Sequence, residues 1–221
     1  MSYPQTVARD QRVVTGAVCW ILTVVFFPGQ FIAQAAVTKP YSMNTNYISD
    51  LGATTCDPFS FGPFHVSVCS PLHTVMNVTF VLTGVFLIAG TVALWRVRPH
   101  GAIGTWAWVL LLIGGVGKLV AGTAPENLAP VAHSQGATAV PFWTVAIQLA
   151  GIALRRARPR FTTWSVATFA IAMFGAVAMN THGIGPMGVG LAERFAAYPL
   201  VIWTVAVGVL LLRSGRRVFE R

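Results

Sequence analysis

The sequence predicts an all-α membrane protein: a bundle of six transmembrane helices with a disulfide-closed extracytoplasmic loop between helices 1 and 2. Three observations carry that expectation. Of 221 residues, 55% are hydrophobic and 10% charged, where a soluble domain carries about a quarter charged residues. Six apolar stretches each reach the roughly 20 residues that a helix needs to cross about 30 Å of hydrocarbon. The basic residues gather in alternate connections, as orientation in a membrane demands.

The first stretch, residues 13–37, follows Arg9 and Arg12 and ends near "AQA", a pattern that imitates a signal peptide. Its apolar run is longer than the roughly 7 to 15 residues of a signal core, so it is expected to stay as helix 1. The other helices are expected at residues 71–95, 103–122, 132–154, 162–180 and 192–212, in a single domain spanning 1–221. Pro28, Pro141 and Pro199 fall inside these stretches, where each removes a backbone hydrogen bond and can kink the helix.

Twelve of the fifteen basic residues lie on one side: Arg9 and Arg12, Arg96 and Arg98, the four of "RRARPR" at 155–160, and Arg213, Arg216, Arg217 and Arg221. Lys39 and Arg194 fall in the opposite connections, and Lys118 lies within helix 3. Both termini are therefore expected in the cytoplasm. Topology thus accounts for the net charge of +9, and no nucleic-acid partner is needed to explain it; the expected partners are membrane lipids. Thirteen arginines against two lysines fit a GC-rich bacterium, and the expected location is its plasma membrane.

The connection from 38 to 70 is far longer than the others, and loops of this length are functional or disordered. Tyr41, Tyr47, Ile48, Leu51, Phe59, Phe61, Phe64, Val66 and Val68 give it apolar material to bury, so it is expected to fold as a cap. A short helix over "MNTNYISDLG" or a hairpin across "FSFGPFHVSV" would supply its structure. Cys56 and Cys69, both in this loop on the oxidising side, are expected to form a disulfide, whereas a thiolate metal site would call for closer-spaced cysteines. Cys19 inside helix 1 is read as a small core residue.

Polar residues collect at the cap end of the predicted bundle. Asn46, Ser49 and Asp50 lie in the cap; His73 and Asn77, four apart, share a face of helix 2; Lys118 is near the end of helix 3. Glu126 follows, His133 and Gln135 open helix 4, His182 follows helix 5, and Glu193 with Arg194 opens helix 6. Together they outline an outward-facing polar pocket. Lys118 stands out because a charge inside a span is costly and normally has a partner or snorkels to the interface. His73, His133 and His182 with Asp50 or Glu126 could imitate a zinc site, but their spacing matches no motif, and no metal or other cofactor is expected. Ser49 beside Asp50 could imitate a nucleophile and its helper, a pairing too common to assign catalysis.

"YSMNTNYISDLGATTC", "VCSPLHTVMNVTFVLTG" and "GIGPMGVGLAERFAAYPLVIW" resemble the prokaryotic six-helix membrane proteins of the domain of unknown function 998 family, over nearly the whole chain. That resemblance implies the fold and supplies no catalytic residue. The family is itself distantly similar to eukaryotic proteins linked to lipid remodelling of glycolipid anchors, which makes a lipid headgroup a conceivable ligand. The expectation is an outward-facing pocket that binds, and in the fuller version remodels, an outer-leaflet headgroup. A small-solute or proton-coupled transporter and a non-catalytic assembly partner are the alternatives. Transport calls for polar groups at the midplane, where the sequence is nearly all apolar.

Overall fold

A computed structural model of the chain describes residues 10–61, 64–214 and 218–219. Arg9, Arg216, Arg217 and Arg221, counted above in the charge asymmetry, lie outside the described residues, as do the side chains of Phe61 and Phe64. Six helices are long and apolar enough to span a membrane: α1 Gln11–Ala35, α2 His73–Ala93, α3 Ala102–Thr123, α4 Pro130–Ala153, α5 Pro159–Asn180 and α6 Val189–Ser214. Each packs on the next in sequence, and α6 returns to α1. The result is a closed ring of antiparallel neighbours, the arrangement that short connections favour.

Local chemistry sets the ends and the breaks. Pro130 and Pro159 occupy first-turn positions, where a missing N–H costs nothing. Pro28 follows a 3-10 turn at Thr23–Val25, and Pro141 follows Thr138, where α4 divides into Pro130–Ala137 and Ala139–Ala153. In both cases the residue four before the proline, Val24 or Ala137, lies at the break, because the ring clashes with that carbonyl. Pro199 sits inside an α6 that continues through it.

The two halves of the bundle interior differ. Toward the end carrying Arg12, Arg96, Arg98 and the 155–160 arginines, the interior is aromatic: Trp20 lies 5.8 Å from Trp108 and 6.2 Å from Trp203, and Trp108 lies 5.1 Å from Phe219. Two of the indole donors there are absorbed locally, Trp20 Nε1 by Thr91 Oγ1 at 3.3 Å and Trp203 Nε1 by Ser165 Oγ at 3.1 Å, whereas Trp108 Nε1 has no partner among the described residues. The opposite half carries the polar groups and is roofed by the loop between α1 and α2.

That loop folds as a cap, with a 3-10 turn at Ser49–Gly52 and a hairpin of β1 Phe59–Phe61 and β2 Phe64–Val66, in the register Phe59 to Val66. The hairpin is one of the two structures expected; the helix over "MNTNYISDLG" shrinks to the single 3-10 turn. Side chains that bond their own backbone explain the difference: Asn44 N–H donates to Ser42 Oγ at 3.2 Å, and Ser42 N–H to Asn46 Oδ1 at 2.9 Å. Cys56 and Cys69 are joined by the expected disulfide, thirteen positions apart, and Cys19 is free and half-buried in α1. Lys39 donates to the carbonyl of Cys56, and Thr38 N–H to that of Cys69 at 3.1 Å, so the base of the cap is tied to both cysteines.

Cys56→Ser should lower stability by about 3 kcal/mol, the chain-entropy value for a loop of this size. Thermal unfolding of wild type with and without reductant, beside the variant, checks this; equal melting temperatures in all three would refute it.

Candidate functional site

The cap is held to the helix ends by a small number of buried polar contacts. Arg194, on the second turn of α6 and 2% exposed, donates through Nη1 to the carbonyls of Met43 at 2.9 Å, Asn46 at 3.0 Å and Gly190 at 2.7 Å. Its Nη2 donates to Tyr41 Oη at 2.6 Å; Nε has no partner. A guanidinium suits this work because its rigid fork presents several donors at once. Next to it, Glu193 accepts the backbone N–H of Ile48. The approach is close enough that a Cβ on Gly190 would fall 2.1 Å from the Asn46 carbonyl oxygen, and one on Gly188 2.4 Å from that of Asn44. "GVG" at 188–190 is thus a bare helix entrance on which the cap backbone lies.

Other contacts complete the seal. Asn44 accepts from Gly188 N–H at 2.9 Å and donates to the Pro186 carbonyl at 3.2 Å. Asn77 of α2 donates to the Gly52 carbonyl at 2.9 Å, and Ser70 Oγ to that of Leu51 at 2.8 Å. Asn127, in the connection between α3 and α4, exchanges bonds with Thr54 N–H and Oγ1, both at 2.9 Å.

Ser49 and Asp50, in the 3-10 turn of the cap, and Glu126, in the connection between α3 and α4, are buried to 8%, 2% and 2% exposure. Asp50 Oδ2 accepts from Asn46 Nδ2 at 3.1 Å and Tyr47 N–H at 3.0 Å. Glu126 is hydrogen-bonded by Ser49 and meets the Asp50 carboxyl directly. Burial raises both acids above the ordinary carboxylate range, and for Glu126 the neighbouring Asp50 adds to the effect. Burial likewise raises the phenols of Tyr41 and Tyr47.

Lys118 reaches into the bundle from α3. Its ammonium lies 4.8 Å from the centroid of Phe80 and 5.2 Å from that of Phe26, and it feels the field of Glu193. Among the described residues it makes no hydrogen bond or ion pair. Tyr198, whose ring lies 6.1 Å from that of Phe26, is bonded to Gln30, with Gln30 Nε2 donating to Tyr198 Oη at 2.7 Å.

The histidines are dispersed. His73 Nδ1 is 3.0 Å from the Ser70 carbonyl at the start of α2. His133 is buried and lies 2.9 Å from the Ala124 carbonyl and 3.1 Å from that of Ala121, tying α4 to the end of α3. His182 is exposed, with a positive φ of 60° in the turn after α5. Among the described residues, no three His, Cys, Asp or Glu side chains gather closely enough to hold a metal ion.

Of the residues singled out in the sequence, the structure brings Ser49, Asp50 and Glu126 together, sets Lys118 near Glu193, and uses Asn46, Asn77, Glu193 and Arg194 to dock the cap. Tyr41, Asn44 and Asn127 share the docking and were not singled out. Tyr41 reads as apolar content in the sequence, and asparagines in loops resemble ordinary turn formers; the "GVG" entrance opposite them is the one signal that a backbone would approach.

Six spans, one end polar and roofed by a folded loop, define a multi-pass integral membrane protein with a capped, one-sided interior. The chain belongs to the family described as Protein of unknown function (DUF998), which matches it over residues 18–210, from within α1 to within α6. No curated protein and no solved structure matches the chain.

Arg194→Lys should release the cap, because one ammonium cannot serve three carbonyls and a phenol; the expected loss is about 3 kcal/mol. Limited proteolysis of the intact protein should then cut within residues 41–55, where wild type resists; a resistant variant would show that the cap is held by other contacts.

Proposed function

We propose that the protein binds the phosphate-bearing headgroup of an outer-leaflet lipid under the cap, with Lys118 as the anion contact. The observation that carries this reading is the state of Lys118: an ammonium inside a membrane span, flanked by Phe26 and Phe80, with no acceptor bonded to it among the described residues. Aromatic faces offset part of the cost of burying a cation, but an ammonium has three donors, and a lipid phosphate supplies acceptors. Lys118 lies five residues before the end of α3, about 7.5 Å deep at 1.5 Å per residue, close to headgroup level. Arg194 is engaged with the cap backbone, which leaves Lys118 as the cation of this end without a bonded acceptor among the described residues.

The positive-inside rule puts the arginine-rich end in the cytoplasm, with the chain termini, and the cap outside. The aromatic interior around Trp20, Trp108, Trp203 and Phe219 weighs against transport, since a solute path would have to pass through it. The reading is one of binding. A remodelling reaction would have to draw its acid–base chemistry from Asp50, Glu126 and Ser49 under the same cap.

Native mass spectrometry of protein purified in mild detergent tests the proposal. Wild type should retain an anionic phospholipid and rebind added phosphatidylglycerol. Lys118→Ala should weaken that binding about 10- to 100-fold, the cost of losing one charge-assisted contact. A wild type that binds no lipid, or a Lys118→Ala protein that binds it equally well, would sink the reading and return weight to transport or assembly.

A further inference from the structure

Cap docking accounts for one oxygen of Asp50 and leaves two carboxyl oxygens unexplained. Asp50 Oδ1 and Glu126 Oε1 are both buried and have no hydrogen-bond donor, although the two carboxyls meet. Each residue is 2% exposed. Two ionised carboxylates are acceptors only, and facing each other away from water they would repel with nothing to offset the desolvation of either. A protonated carboxyl is a donor, so a single proton satisfies the orphaned oxygens.

We propose that Asp50 and Glu126 together form a one-proton binding site that latches the cap to the connection between α3 and α4. Asp50 belongs to the 3-10 turn of the cap and Glu126 to the connection, so the shared proton bridges two separate elements. The charged layer under the cap balances on the same count: Asp50, Glu126 and Glu193 face Lys118 and Arg194, and one proton makes the sum zero. The groups around the pair are Asn46, Tyr47, Tyr41 and Ser49 from the cap and Glu193 and Arg194 from α6. His133 on α4 is turned to the carbonyls of Ala121 and Ala124. This site does not depend on the headgroup reading.

The direction of the pH effect follows from linkage. The folded pair titrates above the ordinary carboxylate range, so it holds a proton that the unfolded chain has released. The stabilisation is complete below about pH 4, where unfolded carboxyls are also protonated, and declines as pH rises until the shared proton is lost. Ionisation of both groups sets like charges across the cap contact, so alkaline pH loosens the cap and acid pH closes it.

The test uses the full chain in lipid-free detergent micelles. Infrared titration of wild type should show the C=O stretch of a protonated carboxylic acid persisting at neutral pH, and that band should vanish in both Asp50→Asn and Glu126→Gln. The melting temperature of wild type should fall as pH rises above the ordinary carboxylate range, whereas Glu126→Gln, whose amide carries a permanent donor, should flatten that dependence. Absence of the band in wild type overturns the proposal, as does a Glu126→Gln protein that keeps the wild-type slope. A melting temperature that rises with added sodium or calcium at constant ionic strength would also overturn it, because a metal cation would then occupy the site in place of the proton. If one variant fails to fold, loss or persistence of the band in the other decides, because buried Glu193 is unchanged in both.

Discussion

The guanidinium of Arg194 is the interaction on which the cap end depends. Irregular backbone near a bilayer is tolerated only where its polar groups are satisfied by protein or water, and the segment from Tyr41 to Ile48 is irregular. Three carbonyls and a phenol converge on Arg194, while Glu193 takes the Ile48 amide. One dipeptide at the entrance of α6 thereby serves both polarities of the cap backbone. Gly188 and Gly190 make the contact possible by removing the atoms that would hold the two backbones apart. The disulfide acts at the other end of the loop, limiting how far the chain can open rather than choosing where it docks.

Docking the cap changes the meaning of the charges beneath it. Half of the six acidic residues in the chain, Asp50, Glu126 and Glu193, lie in this layer, although charge is scarce elsewhere in the spans. In a low dielectric such groups are tolerated when each has a defined partner or sheds its charge. Arg194 and Glu193 have partners in the cap backbone. Lys118 has aromatic faces and the field of Glu193, and the Asp50–Glu126 pair has two oxygens that no donor reaches. These two exceptions are where a ligand and a proton enter the account.

The fold was largely legible in the sequence, because a span is specified by apolar length and a loop cysteine pair by its compartment. Helix limits shifted by at most three residues in all six spans, and the breaks at Thr23–Val25 and Thr138 were foreshadowed by Pro28 and Pro141. The candidate site was legible only as a collection. Depth along a helix can be read from sequence, and it gathered Ser49, Asp50, Lys118, Glu126 and Glu193 at one end. The side on which a residue acts cannot be read that way, so Arg194 and Asn77 looked like pocket residues alongside Lys118. Their partners are backbone carbonyls of a loop without a repeating pattern, which no spacing rule reveals. Histidines illustrate the same limit: His133 resembles a ligand by type and position, yet its ring is turned to two carbonyls that close the end of α3.

The asymmetry of the interior constrains what kind of protein this is. If polar groups served only to orient six helices, hydrogen-bonding pairs would be useful at any depth, and the aromatic half shows that tight packing is available without charge. Instead the buried acidic and basic side chains among the described residues lie between Phe26, Phe80 and the cap, and indole and phenyl rings fill the other half. Such a division gives the two ends of the bundle different chemistry, polar under the cap and aromatic at the arginine-rich end. On the readings proposed above, an anionic group and a proton would both act at the cap end, because that is where the described charged side chains lack a full set of partners.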